Sequence, residues 1–160
     1  MSTPLSEMEK EVIDIFVRIA GVLSLPRSIG ELYGLLFISP DPLCIDDCVR
    51  KLGISKGSTS QGLKILRSFA AVKPVYMPGD RRDFFTAEAE LRKIVGGFVS
   101  EQVRPHLDNG KERVARIQLL LAEETPERKE FFAERIKRLE GWQKRANAVL
   151  PFALNFIKPD

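Results

Sequence analysis

Between Leu43 and Ala87 the chain is punctuated in a way that narrows its fold. In Leu43-Cys44-Ile45-Asp46-Asp47-Cys48-Val49-Arg50-Lys51-Leu52-Gly53, the residues Ile45, Cys48, Val49 and Leu52 recur at helical spacing over one short stretch. Gly53 suits the left-handed stop that follows such a helix. Ile54 turns inward, and Ser55 is a good N-cap for a second helix from Lys56 to about Phe69. Two strand-like runs, Val72–Met77 and Asp83–Ala87, then flank Pro78-Gly-Asp-Arg-Arg82, which reads as a hairpin with a basic tip. Pro74 confines the first run to an edge, and Leu43 can add a very short strand.

The second helix has two unlike faces. Thr59, Leu63 and Leu66 are spaced i, i+4 and i+7 and point inward, with Phe69–Ala70 closing the apolar side. Lys56, Gly57, Ser58, Ser60, Gln61 and Lys64 remain outside, with no acid and no large apolar residue. Gly57 and the serines let the backbone come close to a surface. Gln61 can pair bidentately with adenine, and Ser58 and Ser60 suit base or phosphate. Val49 to Ala87 carries eight Lys/Arg against Asp80 and Asp83 only, an excess of six on a chain whose net charge is +3. Such an excess attracts a polyanion. A short bracing helix, a turn, a second helix and a basic hairpin make a winged helix-turn-helix. Its second helix is built for the DNA major groove, and Arg81 and Arg82 of its wing for the minor groove and phosphate. Arg82 can also pair with Asp80 or Asp83 to hold the hairpin. The alternative is a winged-helix protein-interaction module without DNA binding, which acids on the outer face would favour.

Helical periodicity dominates the flanks. Met8, Val12, Ile15, Phe16, Ile19, Val22 and Leu23 mark a helix over Glu7–Val22, opened by a Ser6/Glu9 capping box. A second capping box, Ser28/Glu31, opens a helix to about Phe37 that Ser39-Pro-Asp-Pro ends. From Glu88 the chain is helical with interruptions. Gly96-Gly97 and Pro105 are hinges or fixed kinks, Thr125-Pro126 starts the last helix, and Pro151 should bend or end it. The fold class is therefore mainly α with a small β-hairpin wing. The expected divisions are residues 1–25, a helix serving dimer or core; 26–90, the winged helix-turn-helix; and 91–160, a helical region.

What remains is mostly exclusion. Two cysteines make no disulfide framework and fit a reducing compartment, and one histidine rules out the His-x-Glu-x-x-His zinc class. Cys44 and Cys48 read as core and helix-start residues. Redox sensing is the weaker alternative. There is no nucleophile elbow, phosphate-binding glycine motif or catalytic cluster, so no catalytic, cofactor or metal residues are assigned and the chain reads as a non-enzyme. No apolar run approaches a membrane span and no signal peptide is visible, which makes a cytoplasmic protein the expectation.

Residues 26–94 also resemble the GbsR-type branch of the MarR-like winged helix-turn-helix transcriptional regulators. The resemblance rests on Leu25-Pro-Arg-Ser28, Gly30-Glu-Leu-Tyr-Gly-Leu-Leu36, Ser39-Pro-Asp-Pro-Leu43, Leu52-Gly-Ile-Ser-Lys-Gly-Ser-Thr-Ser60 and Pro78-Gly-Asp-Arg-Arg82. It implies a homodimeric prokaryotic regulator whose N- and C-terminal helices form the dimer interface. It places Ser55, Lys56, Ser58, Ser60, Gln61 and Lys64 on the recognition helix and Arg81 and Arg82 on the wing. Thr59 stands where that pattern has an apolar β-branched residue, and Cys44 and Cys48 where it has Ser/Thr and Leu. Phe131, Phe132, Ile136, Leu139 and Trp142 are then expected at the dimer interface. A small-molecule effector of unassigned identity is the other use for Phe131, Phe132, Trp142, Phe152 and Phe156.

Overall fold

The computed structural model describes residues 4–156. Its elements are α1 (Glu7–Val22), α2 (Arg27–Ile38), β1 (Leu43–Cys44), α3 (Ile45–Leu52), α4 (Lys56–Ser68), β2 (Val72–Val75), β3 (Phe84–Ala87), α5 (Leu91–Phe98), a π-helical turn (Val99–Val103), α6 (Arg104–Ala122) and α7 (Pro126–Phe156). They fall into two compact units, one ending at Gly97 and one beginning at Phe98.

In the first unit, α2 is the central post. Ile29, Gly30, Leu32, Tyr33, Gly34, Leu35 and Leu36 are all buried, and α2 packs against α1, α3, α4 and β3. The α1 crossing is set by glycine. A Cβ on Gly30 would lie 2.5 Å from the Phe16 carbonyl oxygen and 2.6 Å from Val17 Cα, and one on Gly34 would lie 2.8 Å from Ile13 Cα. Without side chains at these points the two backbones close up. The Phe16 ring then meets the Tyr33 ring edge-on at 4.7 Å and Phe37 at 5.2 Å.

That crossing takes in only Val12 and Phe16 of the expected stripe, both half-buried, and turns the buried face away from the rest. Ile13 and Ala20 are the buried residues, while Met8, Ile15, Ile19 and Val22 stand in water, Val22 at 85% exposure. The Ser6/Glu9 capping box forms as expected. The Ser28/Glu31 box does not: Pro26 is the N-cap without a side-chain bond, and Glu31 instead accepts from Arg27 at 2.7 Å.

The sheet is antiparallel in the order β1-β3-β2. Leu43 pairs with Phe85 and Cys44 with Phe84 on one side of β3; Val72 pairs with Ala87 and Val75 with Phe84 on the other. Pro74 sits on the outer strand β2, where its missing N–H costs the ladder nothing. The strands are shorter than expected, leaving Tyr76, Met77 and Asp83 to the loop. Ala70, expected on the apolar side, is exposed with a left-handed φ of 58°, and Ala71 is buried instead.

Glu88 ties this unit together behind the hairpin. It is almost fully buried, its N–H donates to the Ala71 carbonyl, and its own carbonyl accepts from the Tyr33 hydroxyl at 2.6 Å. Its carboxylate ion-pairs with Lys73 of β2 and accepts from the Glu90 N–H. The Lys73 ammonium, with that N–H, holds the carboxyl below the usual glutamate range against the opposing effect of burial. A depressed carboxyl stabilises the fold above its unfolded pKa, and the contribution fades as pH falls through the folded one. Glu88→Gln should therefore cost roughly 1–2 kcal/mol at pH 7, in the range of hydrogen bonds to charged groups. The gap in melting temperature should narrow progressively as pH falls below the unfolded glutamate pKa of about 4.3. A gap that does not narrow on acidification would show that the charge of Glu88 contributes nothing.

Gly97 is another point of close approach. A Cβ there would lie 1.8 Å from the Phe69 carbonyl oxygen, so Gly97 serves tight packing at this end of α5, while a Cβ on Gly96 would meet nothing within 4 Å. In the second unit the π-helical turn precedes Pro105, which falls in the first turn of α6. Proline cannot donate to the carbonyl four residues back, and the widened turn takes up that defect. Helices α6 and α7 pack together, and Gln118 donates to Glu140 across them at 2.6 Å. Pro151 does not end α7, which runs on to Phe156. No helix among the described residues is long and apolar enough to cross a membrane.

Candidate nucleic-acid interface

The turn between α3 and α4 is built from three residues with distinct jobs. Gly53 caps α3 in the left-handed conformation, φ 68°, which a side chain would oppose. Ile54 is half-buried. Ser55 caps α4 by accepting the Ser58 N–H at 3.1 Å, and the two hydroxyls also bond at 3.0 Å. Thr59 is fully buried, and its hydroxyl donates to the Ser55 carbonyl at 3.0 Å. The threonine thus occupies an apolar position without an orphaned polar group, because its own helix satisfies the hydroxyl.

Thr59, Gly62, Leu63 and Leu66 form the buried face of α4, as their spacing requires. Lys56, Gly57, Ser58, Ser60, Gln61 and Lys64 are all exposed. Space around Gly57 is open apart from the Ser55 hydroxyl at 3.9 Å. This face contains no carboxylate. The Lys56 ammonium reaches back to Asp46 of α3 at 3.0 Å and braces the two helices.

The wing tip is locked by one carboxylate. Asp80 accepts the Arg82 N–H at 2.9 Å and binds the Nε–Nη2 edge of its guanidinium. The same guanidinium lies over the Phe84 ring and meets the Cys44 thiol at 3.5 Å. The Arg82 hydrogen bonds pull the Asp80 carboxyl down to about 2, so the pair persists across any ordinary working pH. Arg81 is exposed and has no ion-pair partner among the described residues. Cys44 donates its S–H to Asp47 and Cys48 is fully buried, its thiol pushed up to about 12 by burial. Both cysteines pack as core residues, and the described residues contain no cluster of three metal-ligating side chains.

Apart from the expected pairing of Arg82 within its hairpin, the positive charge of this unit is partitioned in a way the sequence does not reveal. Arg50 pairs with Asp47, Lys56 with Asp46, Lys73 with Glu88 and Arg82 with Asp80. Lys64, Arg67 and Arg81 have no carboxylate within ion-pair distance among the described residues. Arg67, absent from the expected set, is exposed on the last turn of α4. Its spacing from Lys64 was the signal available.

In the second unit Phe132, Ile136 and Leu139 are part-buried, whereas Phe131 and Trp142 are exposed, Trp142 by 64%. Ile117, Leu120, Leu121, Phe132 and Ile136 line an open apolar depression between α6 and α7, with Glu124 and Arg135 at its edge. Arg135 lies over the Phe131 ring and Arg128 over Phe132, so cations of this chain already occupy those rings. Phe152 is exposed, and the Phe156 side chain lies outside the described residues.

A short helix, a three-residue turn, a second helix with a polar outer face and an antiparallel wing, in that order, define a winged helix-turn-helix. A crystal structure of a transcriptional regulator shares the fold, with a TM-score of 0.66 at 20% identity over 92% of this chain and 95% of that one. The HTH-type transcriptional repressor GbsR of Bacillus subtilis (strain 168) is 29% identical to this chain over 117 residues. That match covers 71% of this chain and 64% of the relative, so the chain spans less than two thirds of the curated relative's length. No protein-family model matches.

Proposed function

We propose that the protein is a sequence-specific DNA-binding transcriptional regulator acting as a homodimer on a pseudo-palindromic operator. Helix α4 enters the major groove, and residues 78–82 of the wing reach the adjacent minor groove and its phosphates. The acid-free outer face of α4 carries this reading. Every expected contact on it, Ser55, Lys56, Gly57, Ser58, Ser60, Gln61 and Lys64, is open to a partner. Gln61 reads a base edge, Ser58 and Ser60 serve base or phosphate, and Lys64 neutralises phosphate. Arg81 supplies the wing's free cation, while Arg82 is presented by Asp80. Likeness to a named repressor supports the same assignment. Dimerisation through α1 and the second unit is supported by the apolar side chains that both leave in water: Met8, Ile15, Ile19 and Val22 on α1, Leu119, Phe131, Trp142 and Phe152 on α6 and α7.

Selection of bound duplexes from a random pool tests the reading. The expected product is an inverted repeat whose half-site centres lie about one helical turn apart, roughly 34–36 Å, as paired recognition helices require. Gln61→Ala should relax the preference at one base pair, repeated symmetrically in the two half-sites. Failure to enrich any motif would instead favour a winged helix that engages protein. Enrichment of a single, unrepeated half-site would retain DNA binding and remove the symmetric dimer.

A further inference from the structure

The outer face of α4 changes character along its length. Its first half presents Gly57, Ser58, Ser60 and Gln61, all small or neutral, and its second half presents Lys64 and Arg67. Ser60, Lys64 and Arg67 are spaced i, i+4 and i+7, so they form one line down the helix, about a quarter-turn round from buried Thr59, Leu63 and Leu66. The two cations on this line carry unneutralised charge, in contrast to Lys56, whose ammonium is tethered to Asp46.

Distance gives this division a meaning. From Lys56 to Arg67 the helix rises about 16 Å. The major groove is only about 12 Å wide. A helix of this length whose first half approaches base edges carries its last turn to the groove wall, where the only ligands are phosphates. A guanidinium there, exposed and free of acids, takes a phosphate bidentately.

We propose that Arg67 is a further DNA-contact residue of α4, binding the sugar-phosphate wall together with Lys64, and that it contributes affinity without sequence preference. The proposal rests on the DNA-binding reading above. It divides α4 into a base-reading half ending at Gln61 and a phosphate-binding half formed by Lys64 and Arg67. Arg67 is exposed, so its removal should leave the fold intact.

Binding to a 30-base-pair duplex of mixed sequence, followed by fluorescence anisotropy between 50 and 300 mM KCl, tests it on the full chain. Each lost phosphate contact should lower the slope of log K against log salt by about 0.9. Arg67→Ala should thus flatten the slope by nearly two for a duplex-bound dimer, with an unchanged melting temperature. Arg67→Lys should keep most of the slope and lose affinity by a few fold, since the charge remains and the fork does not. Lys111→Ala, a charge loss on exposed α6, is the control and should match wild type. An Arg67→Ala slope equal to that of Lys111→Ala, with wild type binding normally, overturns the Arg67 contact alone. Absence of wild-type binding at 50 mM KCl overturns the DNA-binding reading and the contact with it.

Discussion

Gly30→Ala should destabilise the first unit by roughly 3 kcal/mol or more in urea or thermal unfolding, at the upper end of over-packing costs. Helix propensity alone predicts the opposite sign, since alanine favours a helix interior by about 1 kcal/mol over glycine. Steric conflict wins because the added Cβ meets backbone: the Phe16 carbonyl oxygen at 2.5 Å and Val17 Cα and N just beyond it. Backbone cannot escape by changing rotamer, so α1 must move as a body and separate the Phe16, Tyr33 and Phe37 rings. Gly62→Ala is the internal control. Its Cβ also meets an atom too close, but that atom is Leu32 Cδ1, the end of a flexible side chain. Its net cost should stay below about 1.5 kcal/mol, as for tolerated core changes. Equal costs for the two variants would mean that α1 does not cross α2 where the glycines place it.

Replacing Arg81 and Arg82 together by alanine should lower DNA affinity by a factor of about 100 or more near 100 mM salt while leaving the melting temperature nearly unchanged. Two charged contacts of 1.5–3 kcal/mol each, at 1.4 kcal/mol per decade, set that scale. Unaltered affinity would remove the wing from the interface. Asp80→Asn separates charge from geometry. Deleting an acid from a DNA-facing loop would by itself strengthen binding. Because Asp80 holds both the Arg82 N–H and its guanidinium, its loss frees the wing tip, and weaker binding is the expected result. The double variant with Asp80→Asn should then be no weaker than Arg81→Ala/Arg82→Ala, since Asp80 acts through Arg82.

The α3–α4 helix-turn-helix was largely legible in the sequence because local signals there agree with tertiary ones. Ser55 caps the helix that its spacing announces, Gly53 takes the left-handed turn, and the inward line of Thr59, Leu63 and Leu66 is the buried line. Helix α1 was harder for a physical reason. Two overlapping apolar faces run along it, and periodicity cannot say which one packs. The choice is made on α2, by the absence of side chains at Gly30 and Gly34, which draws in Ile13 and Ala20 and leaves Ile15, Ile19 and Val22 outside. The missed capping box has a similar origin. Ser28 has the spacing of an N-cap, but Pro26, with ψ 144°, occupies that position, so the helix begins earlier and Glu31 turns to Arg27. At the site, residue identity, face and the pairing of Arg82 with an acid of its own hairpin were readable, but the pairing of cations with Asp46, Asp47 and Glu88 was not. Of those three acids, none lies in the basic window from Val49 to Ala87.

The same pairing bears on how such a protein would travel along a genome. Between Asp46 and Glu88 five acids stand against eight bases, which leaves a net charge of three where the narrower window suggested six. Four of these acids are fixed beside four of the cations, so they follow the domain to any stretch of DNA it meets. Residence on random sequence depends on this net attraction, and a weaker one means shorter stops and quicker release. Its occupancy would then depend on how many recognition contacts close at each stop, so that time spent on unrelated DNA is kept small relative to time spent on the operator.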